Sequence, residues 1–492
     1  MGWQISGGKK SVKGANKEIG ALLRQTRTSI VQNAKDAKEI SPPPFPGNAS
    51  AAASARLICT KIPLTLPFAP LYVPRPLHTS LYTKKSNPRR KRHQRTAGVF
   101  QSMAIELSYV LLTPYTIRKS RTGGIISRLL SRTGLDLVAT RMFAPSQELT
   151  ERYAAGIVTD SDISHRAAQE QLKKYVLANF SAKTAGTKPR VMILVFKGED
   201  AVKKIKESVG HILNERTSGE TIRDTYGDYI ADAHGNVTYL EPAALAPPDV
   251  ESANRDLQIW AEFSDKDGGL LENTVDFPAG SNVEKTLVLI KPDNFRFPNA
   301  RPGGVIDLFS RSGLTIIATK VHHMSCAQAE EFYGPVLEVL QDKLRGRAAD
   351  VAKKALEPLF EITFTTETEK ALGDLLGPIN GRESWEDIVE FMSGRRPSEC
   401  PADLRNAPGT AKIFALIYQG VDAVRKIREV LGPTDPSKAP HGTIRREFGQ
   451  SIMVNAAHAS DAAENATREM VIVQINENNF RSLVESWLAQ KS

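Results

Sequence analysis

Apolar positions along this chain fall into short runs of changing period, and the same succession occurs twice. Residues 109–141, YVLLTPYTIRKSRTGGIISRLLSRTGLDLVATR, give an apolar strand, a polar loop, an amphipathic helix and a second strand. Residues 287–320, LVLIKPDNFRFPNARPGGVIDLFSRSGLTIIATK, repeat that order around a shared Pro, Gly-Gly and Ser-Arg-Thr/Ser-Gly-Leu frame. Farther on, EDAVKKIKESVG (199–210) matches VDAVRKIREVLG (421–432), and ETIRDTYG (220–227) matches GTIRREFG (442–449). Four matched blocks in one order identify a tandem duplication. The separation grows from about 180 to about 222 residues, so the second copy carries roughly 42 extra residues between Tyr333 and Val421.

Each copy predicts the same elements. A strand (107–112; 286–290) precedes a helix that starts after the Gly-Gly pair. A strand (135–141; 314–320), a helix from 146 or 325, an apolar strand (190–196; 411–418) and a short helix (199–209; 421–431) follow. A Thr-Ile-Arg loop and a last helix (249–257; 461–469) close each unit. Gly134 and Gly313 read as glycines just past helix ends. The pattern favours an α/β fold, a small α+β sandwich with helices on one sheet. The expected organisation is a leader at 1–102, a first domain at 103–265, a linker at 266–283 and a second domain at 284–492. The second domain carries insertions near 341–380 and 395–410, the first of helical character.

Composition modifies this picture at one end. Residues 1–102 hold 18 Lys/Arg and three acids (Glu18, Asp36, Glu39), a net of +15, which leaves −5 of the chain's +10 for the remainder. The body therefore has no basic excess for nucleic acid. The leader is rich in proline and includes RRKRHQR at 89–95, which argues against a packed core there. It reads as a disordered tail, a transit peptide or a gene-model extension upstream of Met103, and nucleic-acid binding through RRKRHQR is the weakest reading. A cytoplasmic location is expected, or an organelle matrix if the leader is a transit peptide. No apolar run reaches 18 residues, so no membrane span is expected. Cys59, Cys326 and Cys400 are far apart and form no CxxC pair, which argues against a disulfide framework or a zinc site.

The candidate chemistry gathers in HGTIRREFGQSIMVNAAHASD (441–461). Imidazole attacks phosphorus and guanidinium holds charged oxygens, so His458 downstream of Arg445 suits phosphate handling. Taken alone, the histidine reads as a packed core residue.

The motifs together go further. IKPD (290–293), RPGGVIDLF (301–309), RKIREVLGPTDPSKAPHGTIRREFG (425–449) and NAAHASD (455–461) resemble the nucleoside diphosphate kinase family in identity, order and spacing, over about 285–480 apart from the insertions. The resemblance implies a ferredoxin-like core and two tandem kinase-like domains. It implies a kinase passing the γ-phosphate of ATP to a nucleoside diphosphate through a phosphohistidine on His458, with Mg²⁺ held mainly by the nucleotide phosphates. By position, Glu469 orients the imidazole, with Ser460 as a second hydrogen-bond partner. Lys291 and Tyr333 contact the transferred group, and Arg428, Thr434 and Arg445 hold the nucleotide phosphates. Asn455 reaches sugar and phosphate, and Trp385, just before IVEFMSG (388–394), stands in for the family's base-stacking phenylalanine. The family's habit of association implies a homo-oligomer, or an intramolecular pseudo-dimer in a fused pair.

The first copy departs from the pattern. Thr113 stands for Lys291, Lys206 for Arg428, Ile212 for Thr434, Pro242 for Asn455, Leu245 for His458 and Pro247 for Ser460, while Arg223 matches Arg445. Its loop is about nine residues longer, and His234 in it reads as an exposed turn residue. Leucine cannot accept a phosphoryl group, so the first copy is expected to be inactive, a structural or regulatory partner. The competing reading for the whole chain is a non-catalytic scaffold or nucleotide-binding protein on the same fold.

Overall fold

The computed structural model describes residues 104–160, 166–182, 186–212, 219–234 and 237–491. The expectations for the leader, its basic cluster included, lie outside the described residues. The first copy contains β1 (Ile105–Leu112), β2 (Asp136–Phe143), β3 (Val191–Glu199), the hairpin β4 (Asp228–Ala231) and β5 (Val237–Glu241), and β6 (Ala244–Leu245). The second contains β7 (Val283–Ile290), β8 (Thr315–His322), β9 (Ile413–Val421) and β10 (Ala457–Ala459). Two four-stranded antiparallel sheets result, ordered β2-β3-β1-β6 and β10-β7-β9-β8. This is the ferredoxin-like order, repeated.

The strands read as continuous apolar runs because both faces of each sheet are covered. On β1, Val110 and Leu112 pack with Ile125, Leu129 and Ile205 from helices Thr122–Thr133 and Ala201–Val209. Tyr109 and Leu111 face the other way, against Leu149, Leu257 and Trp260 from helices Gln147–Ala155 and Val250–Glu262. The expectation of helices on a single face is thus corrected. An amphipathic pattern shows that a helix has a buried side, not which face of the sheet receives it.

The helices of the Gly-Gly frame also start earlier than expected. They span Thr122–Thr133 and Arg301–Phe309, with the glycine pair inside the first turn. The reason is tertiary. A Cβ on Gly123 would collide with the backbone of Gly303 and Asp307, and one on Gly303 with the backbone of Gly123 and Ser127. The two helices cross there backbone to backbone, and Ser127 Oγ donates to Ala300 O at 2.9 Å. Beside this crossing the free edges of β2 and β8 meet, with Thr140 Oγ1 and Thr319 Oγ1 3.0 Å apart. Both helices end where Gly134 (φ 65°) and Gly313 (φ 69°) enter the left-handed region that the sequence reserves for glycine.

The connections cross between copies. The expected linker is packed, since Leu271 is buried and its N–H donates to Ile317 O at 3.0 Å. In return the C-terminal helix Asn479–Ala489 lies on the first copy, where Phe480 meets Phe143 at 5.9 Å and Val484 joins the same core. The helix continuing the second domain in sequence therefore belongs to the first domain's core.

The insertion near 341–380 lengthens two helices into one antiparallel hairpin, Cys326–Phe360 (35 residues) and Thr366–Ser393 (28 residues). The longer helix extends about 50 Å. Gly373, Gly377 and Gly381, spaced every four residues, form a seam that lets the second helix sit on Gln341, Arg345 and Ala349 of the first. The region near 395–410 forms two short turns of 3-10 helix, Pro397–Glu399 and Ala402–Leu404.

Because the crossing has no room for a methyl group, Gly303→Ala is expected to cost roughly 1–3 kcal/mol of stability through overpacking. Chemical denaturation measures the change. A substitution in the open loop at Gly280, where a Cβ meets nothing within 4 Å, is a poor control because φ there is +77°; Gly334→Ala, which is equally open and helical, is the appropriate control and is expected to stabilise by up to about 1 kcal/mol.

Candidate functional site

His458 is the central residue of β10, a three-residue strand that pairs with β7 through Leu289. Ala457 and Ala459 turn into the core on either side, so the intervening imidazole is directed outward, its side chain 22% exposed. Ala456, at φ 71°, turns the chain into this strand. Its carbonyl accepts from Lys291 N and Asn294 Nδ2, which fixes the turn to the end of β7.

The helix Ala463–Ile472 follows at once and brings back Glu469, whose Oε2 lies 3.0 Å from His458 Nε2. Ser460 Oγ donates to the same oxygen at 2.6 Å. Glu469 is buried, and a carboxylate acceptor on Nε2 assigns the proton to that nitrogen. The lone pair then resides on Nδ1. Phe332 meets the ring edge-to-face at 5.0 Å and Tyr333 at 6.3 Å. Both come from the first turns of the long helix Cys326–Phe360, which a capping box at Ser325 and Gln328 anchors. Burial, with Glu469 adding to it, pushes the Tyr333 phenol well above its ordinary value.

A cationic group surrounds the histidine strand. Lys291 is 7% exposed; its Nζ donates to Met453 O at 2.5 Å and Asn455 Oδ1 at 3.0 Å and lies 4.9 Å over the Phe391 ring. Burial brings its pKa down to about 8. Asn455 Nδ2 donates to Thr434 O at 3.1 Å and Ile452 O at 2.7 Å, tying the loop that holds Thr434 to the turn before the histidine strand. Arg445, on the short helix Ile444–Phe448, donates to Gly432 O at 3.0 Å, Thr434 Oγ1 at 3.5 Å and Ala457 O at 3.2 Å. Burial, then the like charge of Arg428, takes its pKa down to about 10. Arg428 projects from helix Ala423–Leu431; the hydrogen bond from Asn465, with Arg428 adding to it, holds the Asp461 carboxyl below its ordinary range. The fold thus brings His458, Glu469, Ser460 and Tyr333 into one group, with Lys291, Asn455, Thr434, Arg445 and Arg428 beside it.

Trp385 does not fit its expected role. It is 5% exposed, and its indole N–H donates to Tyr333 O at 2.9 Å. It braces the two long helices and offers no open face to a base. Trp385, Val389 and Met392, at helical spacing, are all buried, which is why the aromatic turns inward. Sequence reasoning also missed Phe332 and Phe391. The signals were there, as the residue before Tyr333 and the aromatic of IVEFMSG.

The first copy provides a control inside the same molecule. Leu245 pairs with Leu111 on β1 as His458 pairs with Leu289 on β7, so the leucine does occupy the histidine position. Arg223 donates to Gly210 O at 2.5 Å and Ala244 O at 3.0 Å, repeating the bonds of Arg445 to Gly432 and Ala457. Asp256 stands where Glu469 stands, a correspondence the sequence reading did not make. With no imidazole beside it, this carboxylate accepts from Tyr109 Oη at 2.7 Å, and Tyr153 Oη lies 3.2 Å from that phenol. His234 is an exposed residue of the turn between β4 and β5, as expected. Among the described residues no group of three or more His, Cys, Asp or Glu is arranged to hold a metal ion, and no helix is long and apolar enough to cross a membrane.

Comparison with known proteins agrees with the duplicated architecture. The family profile described as Nucleoside diphosphate kinase matches residues 106–265, 284–341 and 359–478, passing over the second half of the long helix Cys326–Phe360. Nucleoside diphosphate kinase 2 of Protochlamydia amoebophila is 31% identical over 188 residues, 38% of this chain and 89% of its own length. A nucleoside diphosphate kinase of Chlamydia pneumoniae is 29% identical over 188 residues, 38% of this chain and 88% of its own. Among solved structures, an NDP kinase from Pyrobaculum aerophilum aligns at 27% identity over 39% of this chain and 94% of its own, with a TM-score of 0.25. Matched through both copies and over most of its length, the chain belongs to the nucleoside diphosphate kinase family.

Proposed function

We propose that the second copy is an active nucleoside diphosphate kinase and that the first copy is catalytically silent. The observation that carries this reading is the His458 Nε2 to Glu469 contact at 3.0 Å, which leaves the lone pair on Nδ1, on a strand that Arg445 bonds at Ala457 O, with leucine at the matching position of the first copy.

In the forward step the Nδ1 lone pair attacks the γ-phosphorus of a nucleoside triphosphate such as ATP. The bond from that phosphorus to the β–γ bridging oxygen breaks, and the diphosphate leaves with the bond's electrons. Glu469, held by Ser460, offsets the positive charge that grows on the ring. In the return step a terminal oxygen of a second diphosphate attacks the phosphorus and the N–P bond breaks, restoring the imidazole. Lys291 and Tyr333 contact the moving group, while Arg428, Thr434 and Arg445 hold the other phosphates. Asn455 spans sugar and phosphate. A Mg²⁺ ion carried in on the nucleotide phosphates would bridge their oxygens and offset part of their charge beside these cationic side chains.

Incubation with γ-labelled ATP and Mg²⁺ is expected to give an acid-labile, base-stable phosphoenzyme that discharges to GDP. His458→Ala is expected to reduce labelling to background. Full labelling of that variant would place the phosphoryl acceptor elsewhere and overturn the assignment of His458, whereas no labelling of the wild type would favour the scaffold reading. Glu469→Gln keeps the shape but weakens control of the tautomer, so kcat is expected to fall about 10–100-fold, with KM little changed. For pH, Lys291 carries its charge below about 8 and loses it above. The kcat/KM profile is therefore expected to decline above that pH, and Lys291→Arg to move the decline upward.

A further inference from the structure

The two copies face each other across a pseudo-twofold seam, so a contact on one side has a mate on the other. On one side Lys412, just before β9, donates to Leu137 O at 3.0 Å and pairs with the Asp136 carboxylate. Its mate is Arg190, just before β3, which donates to Ile316 O at 2.6 Å. The mate of Asp136 is Thr315, since Asp136 lies opposite Lys197 on β3 and Thr315 opposite Gln419 on β9. Arg190 thus keeps the backbone bond of its mate and lacks its carboxylate.

The charge around Arg190 is not otherwise balanced. It is 8% exposed, and among the described residues it forms no ion pair. Burial, then the like charge of Arg118, brings its pKa down to about 10. Arg118 has no ion pair among the described residues either. Arg118 is exposed and feels the charge of Glu241, which accepts from Tyr175 Oη at 2.5 Å, while Asp276 is exposed at the cavity's rim, so the buried Arg190 is the cation left without an acid. A cavity of about 570 Å³ opens here between the copies, lined by Arg118, Arg190, Thr274, Thr315 and Tyr418 among others. Tyr418 Oη and Thr274 Oγ1 are buried there with no hydrogen-bond partner among the described residues, on residues 1% and 7% exposed. On the mirror side Arg296 takes the place of Arg118, but Asp136 supplies the anion and Phe196 replaces Tyr418. A buried cation without a counter-ion is costly, and buried hydroxyls are ordinarily satisfied.

We propose that this inter-copy cavity is a binding site for a phosphate-type oxyanion, which supplies between Arg118 and Arg190 the negative charge that Asp136 supplies on the mirror side. Guanidinium groups offer paired donors to such an anion, and the threonine and tyrosine hydroxyls complete its shell. Because its walls come from both copies and the segment joining them, occupancy links the fused pair together. The site is separate from the His458 group.

Equilibrium dialysis of the full chain against labelled inorganic pyrophosphate tests this. Thr315→Asp installs the carboxylate that the mirror side already accommodates. It is expected to remove one bound anion per chain, or to weaken that site by about tenfold or more, as a neighbouring negative charge requires. Arg118→Gln is expected to weaken the same site. Phosphoenzyme labelling and the circular dichroism spectrum serve as controls and are expected to be unchanged in Thr315→Asp. Equal stoichiometry and affinity in the wild type and Thr315→Asp would overturn the proposal, as would a wild type in which no anion is lost on substitution because none binds.

Discussion

The backbone contact between Gly123 and Gly303 sets the geometry on which both halves of the molecule depend. Two helices without side chains at their crossing can approach until main-chain atoms touch. That approach fixes the distance between the sheets and brings the edges of β2 and β8 together. Exposed strand edges are a liability in a small antiparallel sheet, and here each copy covers one edge of the other. The segments that follow each last helix then cross the seam in opposite directions, so neither copy completes its core alone. The duplication has become one structural unit.

Within that unit, framework and chemistry are separable. Both copies keep the arginine that ties its loop to the strand opposite β1 or β7, with the same two carbonyl partners. Both keep a buried carboxylate on the last helix. The difference is whether that acid meets an imidazole or a phenol. The arginine's retention in the first copy follows from its hydrogen bonds to backbone carbonyls, which any version of this fold needs satisfied. In the second copy the same carbonyl bonds position its guanidinium beside His458, so one side chain supports both the fold and the proposed transfer.

Most of the strands and helices were legible because apolar period is a local property. The duplication supplied a second reading of each element, and the register of Leu245 against Leu111 agrees with the alignment. The failures share a cause. The start of the Gly-Gly helices, the second covered sheet face and the crossing of Phe480 are decided by partners far away in sequence. Trp385 was misassigned because an aromatic near the right motif looks the same whether it faces a ligand or a neighbouring helix. Asp256 lies eleven residues after Leu245, as Glu469 lies eleven after His458, but a shorter acid with no histidine before it carries no sign of that correspondence. The roles proposed for Lys291, Arg428 and Asn455 rest on the resemblance, with the geometry in support.

The C-terminal helix has a consequence for how the chain is made. Phe143 and Trp260 of the first copy are fully buried, and Phe480 packs on Phe143. On a ribosome this part of the first core stays unsealed until the chain has grown from Phe263 past Phe480. At ordinary synthesis rates of about 5–20 residues per second, that interval is roughly 10–45 s. The nascent first copy therefore presents an apolar surface for the time needed to translate the second. The order of synthesis places the copy with Leu245 first and makes it wait for the end of the copy that carries His458.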